Sequence, residues 1–283
     1  MRHVVLVPAW RRPDMLYACL SRLEKAARPG VEVVVSLDRG YDKETREVAN
    51  RFTGRLPVLY LRLMHHHMFR GNSYNVLSGL ADCLKSSPDL VHVVEEDIMV
   101  ADGYFEFHEA MHRAEPGAFA VSACRNQNAP ATGAAYLHPS YQSLGVSMRP
   151  DVVERLARHT NPVYFGDMVM YCRKNFPASR IPPGHAEQDG LINRVRESLD
   201  GKTVYAERPR AYHAGFHGYN RTGTKLTEGP YWERAERILS MTSDDLNAMA
   251  GEIKDYEAFD LDEVLPLDQE ERALSAGRPW VKL

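Results

Sequence analysis

The 283-residue sequence lacks any apolar run near the ~20 residues that a membrane-spanning helix requires. Residues 1–8 are apolar over too short a stretch for the core of a signal peptide, and they read as a first strand. Cysteine is scarce. Cys19, Cys83, Cys124 and Cys172 stand far apart with no CxxC spacing, which excludes a zinc ribbon and a disulfide framework. Cys19 and Cys83 fall on apolar helical faces, as buried free thiols of a reducing compartment do, and the expected location is the cytoplasm. An excess of either charge is also missing. With a net charge of -3, the chain has no general attraction for nucleic acid or an anionic membrane. Internal repeats and low-complexity tracts are absent, which excludes solenoids and biased linkers.

What remains is ordinary globular material, 44% hydrophobic and 26% charged, enough for one large α/β domain or a domain with a smaller appendage. Strand and helix patterns alternate from the start. Residues 3–7 form a strand, and Asp14 stands where it can cap a helix whose apolar face is Met15, Leu16, Cys19, Leu20 and Leu23. Residues 31–37 form a nearly continuous apolar strand, as in a parallel sheet covered on both faces. A helix over 42–52, a strand over 58–63 and a helix capped by Asn72 or Ser73 follow. This alternation predicts right-handed crossovers and a doubly wound, mostly parallel sheet with helices on both faces. The second half is less regular. An aromatic-rich helix over 103–114 and a strand over 119–123 lead into a long polar loop over 126–143, of the kind that forms lids and binding surfaces. Short helices over 151–159 and 168–175, a helix opened by Glu187, Gln188 and Asp189, and a strand over 203–207 come next. A polar stretch over 212–225, amphipathic helices over 231–241 and 244–253, and an acidic tail close the chain. The expected organisation is one domain over 1–226, with halves 1–100 and 101–226, and C-terminal helices and tail over 227–283.

Val91, Val93 and Val94 make a buried strand that ends in three adjacent acids, Glu95, Glu96 and Asp97. Adjacent carboxylates repel one another and are costly at a strand end unless a cation neutralises them. Apolar Ile98, Met99 and Val100 follow, so the acids do not belong to a solvated acidic run. An open α/β sheet places its ligand site at the carboxyl ends of its strands, and a hard divalent cation with a phosphate-bearing substrate fits there. The plain alternative is an acidic turn. Asp38 is a second carboxylate at a strand's carboxyl end, or else the start of an Asx turn before Arg39 and Gly40. Arg11 and Arg12 suit phosphate, since a guanidinium matches its oxygens in pairs, or they are surface charges before a helix. Asp189 at a helix start suits either a cap or a general base. His65, His66 and His67 lack the i, i+4 spacing of a helical zinc pair and read as a solvated loop.

In their order and spacing these features resemble the GT-A glycosyltransferases, which act on nucleotide sugars. The resemblance is carried by Val4, Val5, Leu6, Val7, Pro8, Ala9, Trp10, Arg11, Arg12 and Pro13; by the strand ending at Asp38; by Gly71 and Asn72 ahead of a helix; and by Glu95, Glu96 and Asp97 where the family has its DxD-type motif. The continuation into Ile98, Met99, Val100 and an aromatic helix is most similar to the inverting N-acetylglucosaminyltransferase I type. The likeness implies a first half that binds the nucleotide sugar and a second half that meets the acceptor. It implies Mn2+ or Mg2+ held by Asp97, with a histidine after the last strand, His213 in preference to His217, reaching the metal or the diphosphate. Pro8, Ala9, Trp10, Arg12, Asp38, Gly71, Asn72, Glu95 and Glu96 are expected around the donor, a UDP-sugar. Asp189 is the expected base of an inverting transfer, with Glu187 as second candidate. The acceptor stays open among a glycan, a protein, a lipid-linked sugar and hydroxylated bases of DNA, as does the oligomeric state. Two other functions also fit an acid cluster. One is a nucleotidyltransferase, which usually carries a Gly-rich basic loop where this chain has Pro8, Ala9 and Trp10. The other is a noncatalytic nucleotide- or sugar-binding protein.

Overall fold

The strand β1 (His3–Ala9) is buried at every position and lies inside an eight-stranded sheet. Val4, Val5, Leu6 and Val7 give it no solvated face, so helices must cover both sides. The computed structural model describes residues 1–63, 71–124, 135–206, 208–215 and 229–241, and the backbone alone of 217–218 and 221–222. After β1 come α1 (Pro13–Ala26), β2 (Val31–Leu37), α2 (Lys43–Arg51), β3 (Leu59–Leu63), α3 (Asn72–Cys83) and β4 (Leu90–Val93). β1 pairs in parallel with β2 on one side and with β4 on the other, and β2 pairs in parallel with β3. Strand order therefore reverses between β1 and β4.

The second half adds β5 (Ile98–Val100), α4 (Tyr104–Ala114), β6 (Ala120–Ser122), β7 (Tyr136–His138), β8 (Val146–Met148), α5 (Pro150–Ala157), α6 (Pro162–Gly166), α7 (Met168–Asn175), α8 (Gln188–Ser198), β9 (Thr203–Tyr205), β10 (Ala211–His213) and α9 (Tyr231–Ser240). The sheet runs β3-β2-β1-β4-β8-β6-β9-β7. β8 is antiparallel to both β4 and β6, and β7 is antiparallel to β9, so the regular winding of the first half stops at β4. Three-residue strands carry too little alternation to be read from sequence. For that reason β7 lies within the expected loop 126–143, and β10 overlaps the start of the expected polar stretch 212–225. On one face Met15, Leu16 and Leu20 of α1 join Phe105 and Met111 of α4; on the other, Val76 and Leu80 of α3 join Leu156 of α5 and Leu191 and Ile192 of α8.

One expected cap is replaced. Arg12 occupies the cap position of α1, and the carboxylate of Asp14, 1% exposed, instead accepts a 3.0 Å bond from Arg234 Nε of α9. That ion pair and the packing of α9 on α1 tie the late helix to the first one. All four cysteines are buried and free. No helix among the described residues is long and apolar enough to cross a membrane. The His65–His66–His67 run, the His217 side chain, residues 126–134, the expected helix over 244–253 and the acidic tail lie outside the described residues.

Buried histidines line the contact of α4 with the sheet. His108 Nδ1 and His112 Nε2 share Ser147 Oγ at 2.6 and 2.9 Å, and His92 Nε2 meets His3 Nδ1 at 2.9 Å. Burial holds His92 and His108 neutral far below the usual imidazole range, and lowers His112 to about 3. A histidine that is harder to protonate when folded lets the unfolded chain take up the proton first, so its contribution is lost as pH falls below the unfolded value of about 6.5. The stability deficit of His112→Gln against the parent should therefore shrink by up to about 2 kcal/mol between pH 7 and pH 5. Urea unfolding at the two pH values measures it; a constant deficit would show that His112 protonates as readily folded as unfolded.

Candidate active site

The point where strand order reverses opens a crevice beyond the carboxyl ends of β1 and β4. The segment after β1 carries Trp10 and Arg12, and the turn after β4 carries Glu95, Glu96 and Asp97. Arg12 bridges the two turns. Its Nε donates to Glu96 Oε1 at 2.9 Å and its Nη1 to Asp97 Oδ2 at 2.7 Å. The guanidinium thus faces the acid cluster rather than a free phosphate position. Arg11, with φ 52, turns the other way, donating to the Gly40 carbonyl at 2.5 Å and stacking on Trp10. Pro8 and Ala9 lie within β1, where Ala9 O accepts from Asp38 N at 3.0 Å. The Trp10 backbone N–H approaches Glu96 Oε1 at 3.4 Å, while its buried indole Nε1 has no hydrogen-bond partner among the described residues.

His213 reaches the cluster through a short antiparallel ladder. β5 pairs with β10, Ile98 opposite His213, and Ala214 N donates to Asp97 O at 2.7 Å. This register sets His213 Nε2 3.1 Å from Asp97 Oδ2. The close approach requires Gly215, since a Cβ there would stand 2.6 Å from Asp97 Oδ2 and collide with the His213 ring. Burial alone would raise the Asp97 carboxyl, but His213 and then Arg12 outweigh it and hold the group far below the carboxylate range. Glu96 moves the other way, raised by burial against the opposing pull of Arg12.

The turn also faces the second half. Ser143, in the segment between β7 and β8, has its Oγ 2.8 Å from Asp189 Oδ1 and 3.2 Å from Glu95 Oε1. Burial, Asp97 and Asp189 push Glu95 up to about 8. Asp189 lies in the first turn of α8, and its partner is the Ser143 hydroxyl rather than a helix N–H. Protein surrounds the group on several sides and raises its carboxyl, yet the residue stays exposed. Glu187 occupies the cap position of α8, exposed and without a capping bond.

Asp38 and Gly71 are joined directly, Gly71 N donating to Asp38 Oδ2 at 3.0 Å, while Arg39 N donates to the other oxygen. Gly71 holds φ 96 at the cap of α3, a conformation that favours glycine. Asn72 and Ser73 consequently do not cap. Asn72 Nδ2 approaches Glu95 Oε2 at 3.4 Å, and Ser73 Oγ donates to Gln188 Oε1 at 2.8 Å while accepting from Gln188 N. The N-termini of α3 and α8 are thereby fastened together beside the acids. Ser143, Gly215, Ser73 and Gln188 were not legible as site residues, because nothing local marks a serine or glycine whose partner lies far along the chain.

The profile of the family described as Glycosyltransferase like family 2 matches residues 2–168, more than half of the chain. The chain belongs to that family. It is a glycosyltransferase with the GT-A fold. A mannosyltransferase of Pyrobaculum calidifontis, solved with GDP-Man and Mn2+, is 14% identical; the match covers 88% of this chain and 73% of that one at a TM-score of 0.50. TarS 1–349 of S. aureus, solved with UDP-GlcNAc, is 13% identical over 89% of this chain and 73% of that one, with a TM-score of 0.52. At such identities the likeness is one of fold. No curated protein sequence matches the chain.

Removing the cation from between two buried carboxylates leaves them uncompensated, at a typical cost of several kcal/mol. Arg12→Met is expected to lower stability by about 3 kcal/mol in urea unfolding. A loss under ~1 kcal/mol would mean that Glu96 and Asp97 do not depend on Arg12.

Proposed function

We propose that this glycosyltransferase moves a sugar from a UDP-sugar to a hydroxyl acceptor, with inversion, and that it depends on a divalent cation. The supporting observation is the meeting, at the reversal point of the sheet, of a carboxylate and an imidazole on one side and a solvent-open carboxylate on the other. Asp97 Oδ2 and His213 Nε2 would form a mixed oxygen and nitrogen donor pair, which suits Mn2+ better than Mg2+, an ion that prefers oxygen ligands. Among the described residues no group of three or more acids, histidines or cysteines gathers to hold a metal unaided. Asp97 and His213 would hold such a cation together with the donor's diphosphate. When bound, it neutralises charge on the departing diphosphate.

The chain's own groups then divide the work. Asp38, Gly71, Asn72 and Trp10 border the nucleoside, and Glu96 accepts from the ribose. Asp189 takes the acceptor hydroxyl proton as that oxygen attacks the anomeric carbon, the bond to the diphosphate breaking on the opposite face. Glu187, exposed one turn-start earlier, is the alternative base. The four buried free thiols suit the cytoplasm.

A panel of UDP-, GDP- and CDP-sugars with manganese, read as nucleotide release, tests the assignment. UDP-sugar turnover that stops on chelation is expected, and metal-independent turnover would overturn it. UDP with manganese should raise the melting temperature by mass action, and Asp97→Asn should abolish that shift. Asp189→Asn should keep the shift while transfer falls ~10²–10⁴-fold. Near-parental transfer by Asp189→Asn, or a retained anomeric configuration in the product, would exclude Asp189 as base.

A further inference from the structure

The Asp189 side chain takes its hydrogen bond from outside its own helix, from the segment over 141–145. Asn193 lies one turn beyond Asp189 on α8 and grips that segment's backbone from both sides. Tyr141 N donates to Asn193 Oδ1 at 2.9 Å, and Asn193 Nδ2 donates to Tyr141 O at 2.9 Å and to Asp189 O at 3.0 Å. The far end is held equally. Ser122 Oγ donates to Leu144 O at 3.2 Å and Ala123 N to Gly145 O at 3.0 Å. Between these two anchors Ser143 is 5% exposed, with its hydroxyl 2.8 Å from Asp189 Oδ1.

We propose that Ser143 is a positioning residue for transfer, its anchored hydroxyl donating to Asp189 and holding that carboxylate toward the acceptor. The proposal rests on Asp189 being the base. A positioned base gains from a fixed direction, because proton removal requires the oxygen within hydrogen-bond reach of the acceptor hydroxyl. The contact leaves Asp189 Oδ2 as the oxygen available for that task. Its effect is expected mainly on turnover, since the shorter bond of Ser143 is to Asp189, its longer one of 3.2 Å is to Glu95, and neither reaches Asp97 or His213.

Two readouts test this on the full chain. The first is titration of the Asp189 carboxyl by 13C NMR, assigned by the loss of its signal in Asp189→Asn. Charged and titratable groups facing Asp189 are Glu187 on its own helix, Glu95 from the turn after β4, Tyr141 from the anchored segment and Tyr164 from α6. Ser143→Ala leaves all four in place and removes a donor that favours the ionised form, so Asp189 should titrate at a higher pH than in the parent. The second is nucleotide release across the same UDP-, GDP- and CDP-sugar panel with manganese. Ser143→Ala should lower kcat roughly tenfold with KM for the donor unchanged, and should cost nothing further in the Asp189→Asn background. An unchanged Asp189 titration overturns the proposal, as does a parental kcat in Ser143→Ala when Asp189→Asn is inactive. Full turnover by Asp189→Asn removes the base reading and the Ser143 role with it, so the two failures are told apart by that variant.

Discussion

The structure depends on keeping several carboxylates together at one end of a buried sheet. Glu95, Glu96 and Asp97 are consecutive, and Asp189 comes within reach of the same turn through Ser143. Left alone they would repel in a medium that solvates charge poorly. Each is handled differently. Asp97 is ionised against Arg12 and His213, Glu96 is paired with Arg12, and Glu95 sits where burial and its acidic neighbours favour the protonated form. Asp189 keeps its access to water. His213 and Arg12 together hold Asp97 ionised, and Arg12 opposes the rise that burial imposes on Glu96 and Glu95.

That arrangement follows from topology. β1 and β4 are parallel neighbours, but the chain between them visits β2 and β3 on the far side. Segments leaving β1 and β4 must diverge, and the divergence is the crevice. The second half completes it by different means. β5 and β10 add a separate ladder that sets His213 beside Asp97, and α8 is fastened to α3 by Ser73 and Gln188. Antiparallel β8 ends the regular winding and carries the segment that holds Ser143.

The regular winding was legible because its signals are local and repeated. Buried parallel strands need unbroken apolar runs such as Val4, Val5, Leu6 and Val7, and covering helices need an apolar stripe such as Met15, Leu16, Cys19, Leu20 and Leu23. Capping was less legible. Asp14 and Asn72 have the right chemistry for caps, yet each side chain is turned to a distant partner, Arg234 and Glu95. A capping bond is worth about 1 kcal/mol, little enough for tertiary contacts to override.

By itself the sequence determined the parallel first half, the place of Glu95, Glu96 and Asp97 at a strand end, and the family resemblance. All three rest on residues that are neighbours in the chain. Tertiary structure alone decided that Arg12 answers the acids rather than a free phosphate, that Gly215 lets His213 close on Asp97, and that Ser143 stands between Glu95 and Asp189. Those contacts join residues tens of positions apart, and those of His213 and Ser143 depend on three-residue strands. The partners lie far apart in the sequence, so their roles exist only once the sheet has brought them together.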